Sequence, residues 1–181
     1  GIYRDVTLVA RPKFGIEDYV VEAGLDDNYK EGILIQNIAA AKEADHVQWR
    51  LEDGDGREIA SGIEKLECGC GKIRTNVGEV HAWSAEIPAL YRVNLKLCGK
   101  KGLEDVMDEA EVITGFRKVE VRGSNFLVNG KPILINGVNL HDFSPSGGAV
   151  VCRKTVEDQL CMMKRYNINA IRCAHYPKMP Y

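Results

Sequence analysis

Residues 133–181 read ILINGVNLHDFSPSGGAVVCRKTVEDQLCMMKRYNINAIRCAHYPKMPY. The apolar run Ile133-Leu134-Ile135 predicts a strand, and residues 136–139 lead from it to His141-Asp142. A helix comes next. Thr155 with Asp158 three positions on has the form of a capping box, and Val156, Leu160, Met163 and Tyr166 recur at helical spacing. Asn167 stands where such a helix ends. A second short strand, residues 168–173, then delivers Arg172 and His175. A parallel strand–helix–strand unit puts the C-terminal ends of both strands on one edge of the sheet. His141 and His175 are therefore expected to be neighbours, although 34 positions separate them. In barrels and open sheets built from such units, that edge is where ligands bind.

Upstream, residues 1–115 carry strand patterning and no convincing helix. Residues 6–10 form a short β-branched run, residues 18–23 another, and residues 32–38 (GILIQNI) alternate as a half-buried strand does. Val47, Trp49 and Leu51 alternate with Gln48 and Arg50. Asp53-Gly54-Asp55-Gly56 is a hairpin turn signal, with residues 57–66 as the return strand. A loop containing Cys68-Gly69-Cys70-Gly71 follows, then candidate strands at residues 80–83, 91–97 and 110–113. Seven or eight strands with turns every 8–12 residues make the pattern of a two-sheet sandwich. Pro88 breaks ladder pairing before the strand at Tyr91, and Trp83 reads as a buried anchor. From Gly115-Phe116-Arg117, residues 118–121 and 126–128 predict a hairpin. Asn129-Gly130 then turns the chain into Lys131-Pro132.

With 45% apolar and 28% charged residues, this is an ordinary globular composition, and no apolar run is long enough to span a membrane. Charge is uneven: residues 1–115 hold 14 Lys/Arg against 22 Asp/Glu, a net of −8, and residues 116–181 hold 10 against 4, a net of +6. The split supports a boundary near Gly115. The basic residues are scattered without interleaved aromatics, which argues against a nucleic-acid face. Six cysteines fall three to each side of the boundary, an odd count that does not suit a disulfide framework. Cys68-Gly69-Cys70 lacks the second pair that a metal site needs. Reduced, structural thiols and a cytoplasmic location are expected.

Six ordered motifs then resemble one family, the β-galactosidases of glycoside hydrolase family 2. They are Gly1-Ile2-Tyr3-Arg4-Asp5-Val6; Trp83 to Pro88 with Leu90-Tyr91; Gly115-Phe116-Arg117; Asn129-Gly130-Lys131-Pro132; Gly137-Val138-Asn139-Leu140-His141; and Ile171-Arg172-Cys173-Ala174-His175-Tyr176-Pro177. The resemblance implies a mainly β chain. Residues 1–115 would be an immunoglobulin-like sandwich, and residues 116–132 a hairpin. Residues 133–181 would be the first strand, helix and second strand of a (β/α)8 barrel. Retaining glycoside hydrolysis needs two carboxylates about 5 Å apart. In the family these are glutamates on later barrel strands, so the resemblance implies an internal fragment that is inactive alone. Neither Asp26-Asp27 nor Glu157-Asp158 reads as that pair; the latter suits a helix's first turn.

The same resemblance implies that His141 and His175 bind hydroxyls of the galactosyl ring and that Arg172 holds or tunes the nucleophile. Leu140 departs from the family's usual Arg, which removes a charge beside His141. No cofactor is expected in these residues, while the parent enzyme would use magnesium and a monovalent cation. The expected partner is a β-galactoside, with no nucleic acid and no membrane. The truncated barrel segment is expected to pack on the sandwich, to pair with another copy or to order poorly. Rival readings are a non-catalytic carbohydrate-binding or docking sandwich, and another family 2 activity such as β-glucuronidase.

Overall fold

In β2 (Glu31–Ala40) and β3 (Ala44–Glu52), buried and less buried residues alternate, because successive side chains of a strand point to opposite faces. β1 (Ile16–Leu25) and β5 (Cys70–Glu79) flank β2 in a sheet of order β1-β2-β5. β4 (Glu58–Lys65), β3, β6 (Tyr91–Gly99) and β7 (Val106–Thr114) form the other sheet, in the order β4-β3-β6-β7. All pairings are antiparallel. The inner faces meet in one core that includes Leu34, Val47, Leu51, Val93 and Leu97. Phe116 closes it, edge-on to Tyr91 with ring centroids 5.0 Å apart. This is the expected two-sheet sandwich. The structure, a computed structural model, describes residues 4–176 and 178. Gly1, Ile2, Tyr3 and Pro177 of the motifs, with residues 179–181, lie outside the described residues.

Several expected elements differ. Residues 6–10 form no strand; Leu8 is fully exposed, and a β-branched run needs a partner strand to become one. Residues 80–83 are also irregular, tied by single bonds from Val80 N–H to the Lys30 carbonyl and from Trp83 N–H to the Phe116 carbonyl. Trp83 is half-buried, with the Arg117 guanidinium 5.0 Å from its ring centre, and the buried tryptophan is Trp49. The cysteine-rich loop is a two-residue turn. Glu67 and Cys70 exchange backbone hydrogen bonds of 2.8 and 2.9 Å around Cys68 (φ 52°) and Gly69 (φ 84°). Two successive positive φ values are the geometry of a type I′ hairpin. That turn launches β5, whose many polar residues concealed it. All six cysteines are unpaired, and all but Cys98 are exposed.

The hairpin, β8 (Val119–Arg122) with β9 (Asn125–Val128) and β10 (Lys131–Pro132), belongs to the same compact unit as the sandwich, Ala10–Ile133. Charged and polar groups fasten it there. The Tyr29 hydroxyl donates to Glu120 at 2.8 Å and accepts from Arg122 at 2.6 Å, and Lys118 meets Asp27 at 2.6 Å. Asn129 (φ 51°) accepts from the Lys118 N–H and donates to the Trp83 carbonyl, both at 3.0 Å. The compact unit therefore ends beyond the charge boundary at Gly115.

The second unit comprises residues 4–9 and the chain from residue 134 onward. β11 (Gly137–Leu140) and β12 (Ala170–Cys173) pair in parallel, joined by α1 (Arg153–Arg165). The first strand begins later than the Ile133-Leu134-Ile135 run, which stays irregular. Asn136 and Asn169 explain the offset. Asn169 accepts the Asn136 N–H through its side chain and donates to the Leu134 carbonyl, and its own N–H reaches the Asn136 carbonyl. These bonds cross-link the chain just ahead of the ladder. The Thr155–Asp158 capping box does not form. The N-cap is Cys152, Thr155 already lies inside the helix, and Asp158 pairs with Lys154 at 3.2 Å. Glu157 pairs with Arg153 at 2.8 Å, so neither acid lies in the first turn. Asn167, at φ 58°, ends the helix as expected.

Candidate substrate-binding edge

In the β11–β12 ladder, Val138 faces Ile171, Asn139 faces Arg172 and Leu140 faces Cys173. Side chains alternate along each strand, so Leu140, Ile171 and Cys173 share one face. With Val151, Val156 and Leu160 they line a small, mainly apolar cavity of about 140 Å³ between sheet and helix. Asn139 and Arg172 take the other face. The Leu140 departure therefore falls on the helix side of the sheet, where an apolar side chain fits. The Arg172 side chain is exposed and makes no hydrogen bond or ion pair with a described residue.

His141 and His175 follow directly from the two strand ends. Their ring centroids lie 5.6 Å apart at 71°, and both are exposed. Ala174, 1% exposed, anchors this edge by donating its N–H to the Leu140 carbonyl at 3.1 Å. The Ala174–His175 peptide bond is cis. The Tyr176 ring stands 6.3 Å from that of His141. The structure thus brings the two histidines together on one edge and puts Arg172 three positions before His175, in register with Asn139 and on the same face of the sheet.

Sequence reasoning assigned no role to Asp142 and missed its partners. The Asp142 side chain is only 10% exposed. Oδ2 accepts from Arg4 at 2.8 Å and Oδ1 from Lys178 at 2.7 Å. Lys178 also donates to the Leu140 carbonyl at 3.2 Å, and the Asp142 N–H donates to the Tyr176 hydroxyl at 2.8 Å. Burial pushes the Asp142 carboxyl up, but the hydrogen bonds and charges of Lys178 and Arg4 outweigh it and hold the group below the usual carboxylate range. No local pattern could have found this cluster, since Arg4 stands 138 positions from Asp142.

Two exposed imidazoles, each able to donate from one nitrogen and accept at the other, stand with ring centroids 5.6 Å apart, a pairing suited to hydrogen bonds with hydroxyl groups. The edge offers no carboxylate pair: Asp142 is committed to two cations, and Glu157 and Asp158 to their helix neighbours. Asp26 accepts from the N–H groups of Lys30 and Glu31 in the sandwich unit, and Asp27 pairs with Lys118. Among the described residues no three His, Cys, Asp or Glu side chains converge to hold a metal ion.

Comparisons with known proteins agree with this architecture. The model described as glycosyl hydrolases family 2 matches residues 14–117, and that for the family 2 TIM barrel domain matches residues 119–181. A curated beta-galactosidase of Photobacterium profundum is 38% identical over 191 aligned positions, covering 99% of this chain and 18% of the relative. Those of Vibrio vulnificus and Pectobacterium atrosepticum are 37% and 35% identical with the same coverage. The chain thus spans about a fifth of the length of these relatives. Solved structures of a β-glucuronidase from Ruminococcus gnavus share the fold. One, in complex with a C6-substituted uronic isofagomine, has a TM-score of 0.78 at 24% identity, covering 93% of this chain and 27% of that one. The apo structure scores 0.77, covering 92% and 27%. With one family's models adjoining across the sandwich and the parallel strand–helix–strand edge, the first of them over more than half the chain, the chain belongs to glycosyl hydrolase family 2.

Proposed function

We propose that this chain is the sandwich and the opening of the catalytic barrel of a retaining β-galactosidase, and that the His141–His175 edge holds the terminal galactosyl ring. The observation that carries the reading is the approach of the two imidazoles to 5.6 Å at the ends of adjacent parallel strands. The beta-galactosidase names of relatives at 35–38% identity support the choice of sugar. Each histidine would hydrogen-bond ring hydroxyls, and bonds that tighten as the oxocarbenium-like transition state forms lower the barrier. Arg172, exposed and without a protein partner, is suited to hold a nucleophilic carboxylate through its fork of N–H donors.

Hydrolysis with retention needs an acid/base and a nucleophile about 5 Å apart. The histidine edge offers neither, so the 181-residue chain by itself is expected to turn over no glycoside. Among the described residues no three His, Cys, Asp or Glu side chains converge, and no step here runs through the magnesium or the monovalent cation expected of the parent.

The test is kinetic, in the full-length enzyme that carries this chain. His175→Ala should lower kcat/KM on an aryl β-galactoside by about 10²–10³-fold, the scale of losing one transition-state hydrogen-bond donor. Preference for a β-glucuronide over a β-galactoside would overturn the choice of sugar. Turnover by the isolated 181-residue chain that survives His175→Ala would overturn the site.

A further inference from the structure

The cluster behind the histidine edge has no assigned role, and its connections are directional. We propose that Asp142 is a positioning residue: clamped between Arg4 and Lys178, it fixes the chain after β11 so that the His141 imidazole faces that of His175. The inference rests on the reading of this edge as the sugar site.

Three observations carry it. First, Asp142 is covalently next to His141, and its two carboxylate oxygens are held by different cations, Oδ2 by Arg4 and Oδ1 by Lys178. A carboxylate gripped on both oxygens cannot rotate without breaking a charge-assisted bond. Second, both neighbours of His141 are tied to the segment that carries His175. Lys178 takes the Leu140 carbonyl, and the Tyr176 hydroxyl takes the Asp142 N–H. His141 is thus bracketed by bonds from residues just beyond His175. Third, Asp142 is 10% exposed, whereas both histidine rings are exposed. With Arg4 and Lys178 it lines the small, mainly apolar cavity that Leu140, Val151 and Leu160 also line, so the ion pairs sit partly shielded from water. The same cations flank the Tyr176 ring, Lys178 at 5.0 Å and Arg4 at 5.9 Å, which holds that ring beside His141.

The test uses Asp142→Asn, which keeps the shape and removes the charge, in the full-length enzyme. Expected is a 10–100-fold loss of kcat/KM, the usual scale for a partner that orients a functional side chain, falling mainly on kcat because the lost interactions strengthen in the transition state. In the His175→Ala background the same substitution should cost little further, since the pair it aligns is gone; a general structural role would add its full effect there. Lys178→Met opens the clamp from the other side and should show the same dependence on His175. In the 181-residue chain, NMR should detect ring-to-ring contacts between His141 and His175 that vanish in both variants while the sandwich amide spectrum is unchanged. A kcat/KM within about twofold of wild type in both variants, full additivity with His175→Ala, or undisturbed ring contacts would each overturn the proposal. The failure of the sugar assignment is separable: if the enzyme prefers another glycoside, the cycle is run on that substrate and judges the clamp alone.

Discussion

Replacing Gln36 with methionine should stabilise the sandwich. Gln36 lies on the inward face of β2, between Leu34 and Ile38, and is fully buried. Neither Nε2 nor Oε1 has a hydrogen-bond partner among the described residues. A buried amide that gives up water without replacement bonds costs about 1–3 kcal/mol. Methionine is unbranched and of similar length, so it fills the same space, and volume-conserving exchanges cost less than about 1.5 kcal/mol in packing. The expected net gain is about 1–2 kcal/mol, once the packing cost is set against the amide penalty. For a domain of about 100 residues this raises Tm by roughly 4–8 °C per kcal/mol. Urea unfolding followed by tryptophan fluorescence reads it cleanly, because both tryptophans, Trp49 and Trp83, lie in this unit. The midpoint should rise at constant m-value. A lowered midpoint at unchanged m would refute the reasoning, for it would mean that the amide is satisfied in solution and contributes to stability.

Four further outcomes are expected. Cys68→Asn should stabilise by a few tenths to about 1 kcal/mol, since asparagine suits the φ of 52° at this I′ position. Gly69→Ala should cost about 2 kcal/mol or more, because a Cβ there meets the Ala40 carbonyl at a φ of 84°; thermal melts separate the two signs. Asn129→Ala removes two hydrogen bonds and puts alanine at φ 51°, for a loss of about 2–4 kcal/mol in urea unfolding. Glu120 is held below the usual carboxylate range by the Tyr29 hydroxyl and Arg122, against the effect of burial. Because its folded value is depressed, its contribution is present above the ordinary glutamate value of 4.5 and is lost as pH falls below that through the folded value. Glu120→Gln should therefore narrow the difference between urea midpoints measured at neutral pH and just below 4.5. An unchanged difference would show that the Tyr29–Glu120–Arg122 cluster does not favour the ionised form.

Much of the site's plan was already in the chain. The order strand, helix, strand obliges His141 and His175 to share an edge, because a parallel connection returns the second strand in the same direction as the first. The alternation of Val47, Trp49 and Leu51 correctly named an inward face, since all three are buried. The turn residues Asn129-Gly130 and the helix end at Asn167 followed from the few residues that tolerate positive φ. These are local properties, carried by spacing and backbone sterics.

Through-space partnership decided the rest. GILIQNI reads equally well with either set of residues inside; packing put Leu34, Gln36 and Ile38 inward and left Ile33 and Ile35 on the half-buried outer face. The start of β11 was set by the Asn136–Asn169 cross-links rather than by the apolar run before it. The hairpin joined the sandwich because Tyr29 and Asp27 met its charges. Asp142 acquired its cations from Arg4, far back in the chain, and from Lys178, beyond the second strand. A sequence carries the period of its pattern, but phase, partner and ion pairing are energies between residues distant along the chain, and they have values only once the chain has folded.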